Sequence, residues 1–483
     1  MRTPIFKETP SDSEMHRTCP SRGWQRFLRY LADVHPGEVR NALLLTATVF
    51  LLLFAYYLLK TVREALILSE GGAYIKAYSS AGQAFLLMVL VPVYGLVASK
   101  VVRIKLLGGL LLFFFANLVL FSALGASGAR EGVVFYIWVG IFNVFIVSQV
   151  WAFANDIYTE GQGKRLFPII GLGSSLGAWL GARGAERMVA VLHASPYQLQ
   201  LLAASILLIC GGLLVTVNRG ARRSPNPEMA ARAAQTLAPG DGFAMIFKDR
   251  YLMWIAVLIV LLNMVNSTGE FLLGDLVSSQ ARALHPGNLA AQKQFIGSFY
   301  GSFFADVNLL GLLLQVFAVS RIVPRYGVRA ALYILPVISL ACYSAVGLAP
   351  LLGLIRWGKT LENATDYSIQ NTLRQALFLP TSREAKYKAK AAIDTFFMRL
   401  GDVLHAGLVR LGSQLHLAFA GYAWINVGLT VGWLYAVSRL ARQHHGMTAQ
   451  EENERPESQK SHSFLTCGSR FERPARSILS VSE

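Results

Sequence analysis

Uncharged, apolar stretches separated by short charged connections set the rhythm of this chain. They run over 41 to 59, 77 to 99, 106 to 128, 132 to 155, 166 to 182 and 198 to 218. After a polar connection from Arg219 to Arg250, further stretches cover 251 to 269, 294 to 320 and 330 to 348, with Asp306 inside the second. Residues 351 to 376 and 391 to 414 carry charges, and 417 to 438 is apolar again. A bilayer crossing takes about 20 residues of helix. The pattern therefore predicts an all-α integral membrane protein with twelve transmembrane helices.

Composition agrees. Of 483 residues, 54% are hydrophobic and 15% charged, well below the roughly 25% charged of soluble domains, which excludes a soluble multidomain enzyme. The formal net charge of +17 would point to nucleic acid if the cations gathered on one face. Instead they mark alternate connections: Lys100, Arg103 and Lys105 after span two, Lys164 and Arg165 after span four, and Arg219, Arg222, Arg223 and Arg232 after span six. Arg321, Arg325 and Arg329 follow span eight, and Arg383, Lys386, Lys388 and Lys390 follow span ten. Cytoplasmic loops are the ones enriched in Lys and Arg, so both termini are expected on the cytoplasmic side. No nucleic-acid partner is expected.

Matched landmarks suggest that the halves are weak repeats. Val62-Arg63-Glu64-Ala65 ends span one much as Thr268-Gly269-Glu270-Phe271 follows span seven, so Glu64 corresponds to Glu270. Leu172-Gly173-Ser174 similarly matches Leu400-Gly401-Asp402. Two six-helix repeats give a major facilitator-like plan, with substrate near the midplane between the halves. The expected divisions are a cytoplasmic segment 1–40, bundles 41–218 and 251–438 with a linker 219–250 between them, and a disordered tail 439–483. Trp24, Phe27, Leu28, Leu31 and Val34 recur at helical spacing beside Arg22, Arg26 and Arg29, as in an interfacial helix. No cleaved signal peptide or disulfide framework is evident.

Charges held inside spans carry the functional signal, because each costs about 2.5–3.5 kcal/mol at a helix centre. Glu362, Asp366, Gln370 and Arg374 recur every four residues on span ten, beside Lys359 and Asn363. Either this stripe faces a cavity, or Lys359 and Arg374 reach opposite interfaces and the acids pair with them. At the end of span one, Lys60 and Glu64 are spaced to pair, leaving Arg63 as a forked cation for an anion such as phosphate; the alternative is an ordinary helix-end cluster. Asn155, Asp306, Glu270 and the pair Arg399 and Asp402 complete the candidates. Gly173, Gly177 and Gly181 repeat every four residues, a pattern for close helix packing and not a phosphate loop. No metal spacing, catalytic nucleophile or cofactor motif appears.

Several runs carry a resemblance. They are Val34 to Asn41, Ala55 to Leu68, Trp151-Ala152-Phe153-Ala154-Asn155, Phe247-Lys248-Asp249-Arg250-Tyr251, Asp366 to Thr372, and above all Phe378 to Asp394. Over residues 22 to 438 the chain resembles the bacterial ATP/ADP translocase, or nucleotide transporter, family. The resemblance implies a twelve-span carrier of a bacterial inner membrane exchanging ATP for ADP or a related nucleotide without hydrolysis, and a monomer is expected. The family's functional lysine at the end of span one falls on Arg63, which keeps the charge. Its acid in span four falls near Val139, its acid before span eight near Phe295, and its lysine in span eleven on Asp402, so those charges are lost or reversed. The alternatives are a proton-coupled carrier of another metabolite and a non-transporting membrane scaffold or sensor.

Overall fold

Glycines and short polar turns cut the apolar stretches into rods. A computed structural model of the protein describes residues 39–98, 101, 103–158, 160–221, 242–382 and 384–454. The expected interfacial helix at 22–34 lies outside these residues, as do the middle of the linker and the end of the tail.

The first rod, α1 (Val39–Glu70), runs straight through Lys60, Arg63 and Glu64. It ends at Gly71, and Gly72 adopts φ 71°, a left-handed turn that suits glycine and starts α2 (Gly72–Ala98). Next come α3 (Arg103–Ala126), α4 (132–157, with a π-helical stretch Asn143–Val147), α5 (Glu160–Ala190) and α6 (Pro196–Ala221). A short helix, Gly242–Lys248, precedes α7 (Arg250–Leu284). The chain continues as α8 (Leu289–Ile322) and α9, whose parts Pro324–Ala331 and Ile334–Leu348 meet at 54°. It closes with α10 (352–376), α11 (385–414) and α12 (Phe419–Glu454).

Seven of these helices, α1 to α4 and α6 to α8, are long and apolar enough to cross a membrane, and the bent α9 makes an eighth if counted as one span. The other four rods carry the charges and small residues that dilute hydropathy. Two boundaries differ from the sequence expectation. Helix α12 continues to Glu454 instead of giving way to a disordered tail at 439, because Leu440 and Ala441 remain buried and the Ala-, Gln- and Glu-rich run beyond them favours helix. Part of the linker, Gly242–Lys248, is also helical.

Small residues decide the packing. α1 lies against α5, α6 and α8, and α5 also packs on α8. On α5, Gly173, Gly177 and Gly181 sit against Thr46, Phe50 and Phe54 of α1. A Cβ built at Gly177 would lie 2.2 Å from the Phe50 carbonyl oxygen, so the helices approach as the glycine spacing predicted. Across the molecule, α2 packs on α7 and α11.

Contacts between residues 39–221 and residues 242–454 gather towards the end of the bundle where α1 gives way to α2. There Gly297 faces Ala65 and Val189, Gly274 faces Leu68, and Gly301 faces Glu186. Lys293 Nζ on α8 pairs with Glu70 Oε1 at 2.8 Å and also donates to the Tyr197 hydroxyl. The Gln294 amide donates to the Val189 carbonyl.

Candidate functional site

Below that closed end, α1, α2, α4, α7, α8, α10 and α11 surround a polar cavity of about 220 Å³. Lys60 and Arg63 on α1, Lys76 on α2, Glu270 on α7, and Arg399 and Asp402 on α11 all line it. α1 carries charges this deep because it has no breaker before Gly71, so Lys60, Arg63 and Glu64 stay on one continuous helix.

Most of these charges neutralise one another. Arg63 Nη2 donates to Glu64 Oε1 at 2.6 Å, and Lys76 Nζ lies 2.7 Å from Glu64 Oε2 and 3.6 Å from Glu270 Oε2. Glu270 in turn lies 3.7 Å from Lys359 Nζ, which is 3.4 Å from Glu362 Oε1. Tyr343 donates its hydroxyl proton to Glu362 Oε2 at 2.5 Å. The result is an alternating chain, Arg63, Glu64, Lys76, Glu270, Lys359 and Glu362, that joins both halves of the sequence. Glu64, Lys359 and Glu362 are buried, a placement that requires each charge to be paired. Gly269 makes room for one end of this chain, since a Cβ there would overlap the Tyr343 hydroxyl.

Asp402 belongs to a second cluster. Its Oδ1 accepts from the Asn263 amide at 2.9 Å and the Ser267 hydroxyl at 3.1 Å, while Arg399 Nη1 lies 3.4 Å from Oδ2. Arg399 and Asp402 thus partly neutralise each other, the bland outcome that their spacing allowed.

Lys60 differs from every other charged group in the cavity. No carboxylate lies within ion-pair distance of it among the described residues. Its ammonium sits 4.2 Å from the Phe304 ring centre, with Tyr57 at 5.3 Å and Tyr367 at 5.9 Å. This reverses the expectation drawn from spacing. Glu64 pairs with its neighbour Arg63 and with Lys76 from another helix, not with Lys60, because Lys76 approaches from α2 where no sequence-local rule could place it. Arg63 also stacks against Tyr136, 4.6 Å from the ring centre. Among the described residues, Lys60 is the cavity cation without a carboxylate partner.

Span ten is corrected as well. Glu362, Asp366, Gln370 and Arg374 do not line one cavity face; Asn363 and Tyr367 are the α10 residues that line it. A π-helical stretch, Asp366–Gln370, widens the turn and spoils the four-residue repeat. Gln370 is buried, with no hydrogen-bond partner for either amide atom among the described residues, whereas Arg374 reaches back to Asn371. Asp306 pairs with Arg356 at 2.9 Å between α8 and α10, away from the cavity lining. Asn155 is exposed near the end of α4, also outside the lining.

Sequence reasoning missed Lys76, which falls just before an apolar stretch and reads as a helix-end charge. It also passed over Asn263 and Asn266, although two amides inside an apolar run are a legible signal. The Asn266 side-chain oxygen accepts from Lys359 Nζ at 2.7 Å. His405 also lines the cavity, its Nδ1 3.1 Å from the Thr268 hydroxyl.

Residues 131–344 match the family model described as TLC ATP/ADP transporter. The chain is 20% identical over 503 aligned residues to ADP,ATP carrier protein 1 of Chlamydia pneumoniae, covering 88% of this chain and 95% of that protein. It is 21% identical to ADP,ATP carrier protein 4 of Rickettsia conorii, covering 90% and 98%. Among solved structures it resembles a mutant form of the nucleoside transporter NupG (TM-score 0.58, 15% identity, 83% of this chain and 99% of that one). It also resembles a bacterial homologue of the iron transporter ferroportin in an inward-facing state (TM-score 0.60, 13% identity, 83% and 99%). These structural likenesses show that the chain shares the all-helical fold of those two proteins, and its long apolar helices are those of a multi-pass membrane protein.

Proposed function

We propose that this chain, which matches the TLC ATP/ADP transporter family model over residues 131–344, is a member of that family and an antiporter that exchanges nucleotides of the ATP/ADP type by alternating access. The observation that carries this reading is Lys60, a cation without a carboxylate partner in a polar cavity lined from both halves of the chain. Such a cation attracts a phosphate, and the surrounding Phe304, Tyr57, Tyr367 and Tyr136 offer ring faces to a base.

In this reading α1 to α12 each cross the membrane, residues 41–218 and 251–438 form the two bundles, and both termini face the cytoplasm. The end closed by Glu70 and Lys293 is then the outer face. The halves rock about the cavity, opening it alternately to each side. The alternating ion chain from Arg63 to Glu362 gives the halves a shared polar contact near the pivot, so rocking does not strand a buried charge.

Exchange of labelled ATP or ADP in proteoliposomes preloaded with unlabelled nucleotide tests the reading. Saturable counter-exchange without hydrolysis is expected, and its absence for every nucleotide would refute it. One observation favours a second reading. With Lys60 as the one cavity charge lacking an opposite partner among the described residues, a less highly charged anionic metabolite also fits, and competition by such anions distinguishes the two.

A further inference from the structure

A second cavity is larger than the central one. A chamber of about 790 Å³ lies at the closed end, lined by the last turns of α1, the loops before α4 and α6, and the start of α8. That volume is within the roughly 300–1,000 Å³ typical of small-molecule pockets. Its charged side chains are Arg130, Lys293 and Glu70, joined by His193. Arg130 is exposed, with no ion pair among the described residues. His193 holds φ 51°, unusual for a residue with a side chain, and its Nδ1 contacts the Gln294 amide at 2.5 Å. Glu70 is already engaged, accepting from Lys293 Nζ at 2.8 Å and from the Gly132 backbone N–H at 2.8 Å.

Lys293 therefore has two roles in one place. It ties α8 to Glu70 and Tyr197 across the closed end, and it faces a chamber that also presents Arg130 and His193. The starts of α6 and α8 line the same chamber, and helix N-termini favour anions.

We propose that this chamber is an outer docking site for the phosphate-bearing end of a nucleotide. Arg130 and His193 hold the incoming phosphate beside Lys293, where it competes with the Glu70 carboxylate for the ammonium. Arrival of cargo thus loosens the Glu70–Lys293 tie that holds the outer end shut. The inference rests on the transport reading and on its orientation, and it adds a second site, distinct from the Lys60 cavity, that only external cargo meets.

The test separates the two claims. In oriented proteoliposomes, Arg130→Gln combined with His193→Gln should raise the external KM for nucleotide about tenfold, as expected for losing a charged hydrogen bond, and leave the internal KM unchanged. Equal shifts on both sides, or none, would overturn the docking site while leaving antiport intact. A second measurement does not depend on transport. An Ala129→Cys reporter labelled by a membrane-impermeant maleimide from outside should react more slowly when ATP is added outside, and lose that protection when Arg130 and His193 are replaced. No protection, or protection that survives both replacements, overturns the proposal; failure of the wild type to exchange nucleotide with protection intact overturns only the transport reading.

Discussion

Replacing Lys60 with Met tests which cation of α1 grips the cargo. The side chain keeps its length and apolar stem but loses its charge, and no carboxylate is stranded, since none lies within ion-pair distance. The folded state gives up a cation–π contact to Phe304 at 4.2 Å, worth about 0.5–2 kcal/mol, and recovers the cost of holding an ammonium out of water, so stability should change little. Cargo binding loses a charge-assisted hydrogen bond of about 1.5–3 kcal/mol, or roughly ten- to a hundredfold in KM. Arg63→Met should behave in the opposite way. It removes one of two partners of a carboxylate that is 1% exposed, and breaking a buried pair costs up to about 3–5 kcal/mol, moderated here because Lys76 still holds Glu64. Counter-exchange kinetics and thermal unfolding in detergent, measured on both variants, decide the matter. If Arg63→Met lost affinity at unchanged stability while Lys60→Met kept wild-type KM, the assignment of Lys60 as the free cation would be refuted.

The remaining predictions probe packing and charge. Gly177→Ala should destabilise by about 1–3 kcal/mol through overpacking, because the new methyl would meet the Phe50 carbonyl; Gly171→Ala, whose Cβ meets nothing within 4 Å, should not, and thermal melts of both variants compare them. Asp402→Asn keeps an oxygen for Asn263 and Ser267 and removes one negative charge beside Arg399, so KM should fall most for the most highly charged nucleotide, as read by competition among mono-, di- and triphosphates. The pair Asp306 and Arg356, with side chains 29% and 27% exposed, should couple by no more than about 1 kcal/mol in a double-mutant cycle, and Asp306→Asn should leave the exchange rate near wild type.

Much of the fold was legible because it follows from local rules. Uninterrupted apolar stretches gave most of the rods, and the spacing of Gly173, Gly177 and Gly181 gave the face that α5 presents to α1. The site was legible by residue type but not by pairing. Lys60, Arg63, Glu270, Arg399 and Asp402 do meet at one cavity, since charges confined to spans have few places to go. Spacing nevertheless chose the wrong partner for Glu64, because a contact four residues away on α1 lost to Lys76 from α2 and to the adjacent Arg63. On α10 the four-residue stripe failed where a π-helical stretch changed the turn, and nothing in Asp366-Tyr367-Ser368-Ile369-Gln370 announces that change.

The pairing has a consequence for how such a cavity works. If every charge were free, the cavity would bind a polyanion tightly in one conformation and release it slowly, which opposes rapid exchange. In the alternating chain the two inner acids each lie between two cations, Glu64 between Arg63 and Lys76 and Glu270 between Lys76 and Lys359, while Glu362 ends the chain on Lys359 and the Tyr343 hydroxyl. A small rocking motion can lengthen one contact while shortening another, so the electrostatic cost of moving the halves stays low. Lys60, held by ring faces instead of a carboxylate, can turn towards a phosphate without leaving an acid unpaired. Cargo affinity and conformational freedom are thereby assigned to different residues of α1, and the contrast between Lys60→Met and Arg63→Met measures that division directly.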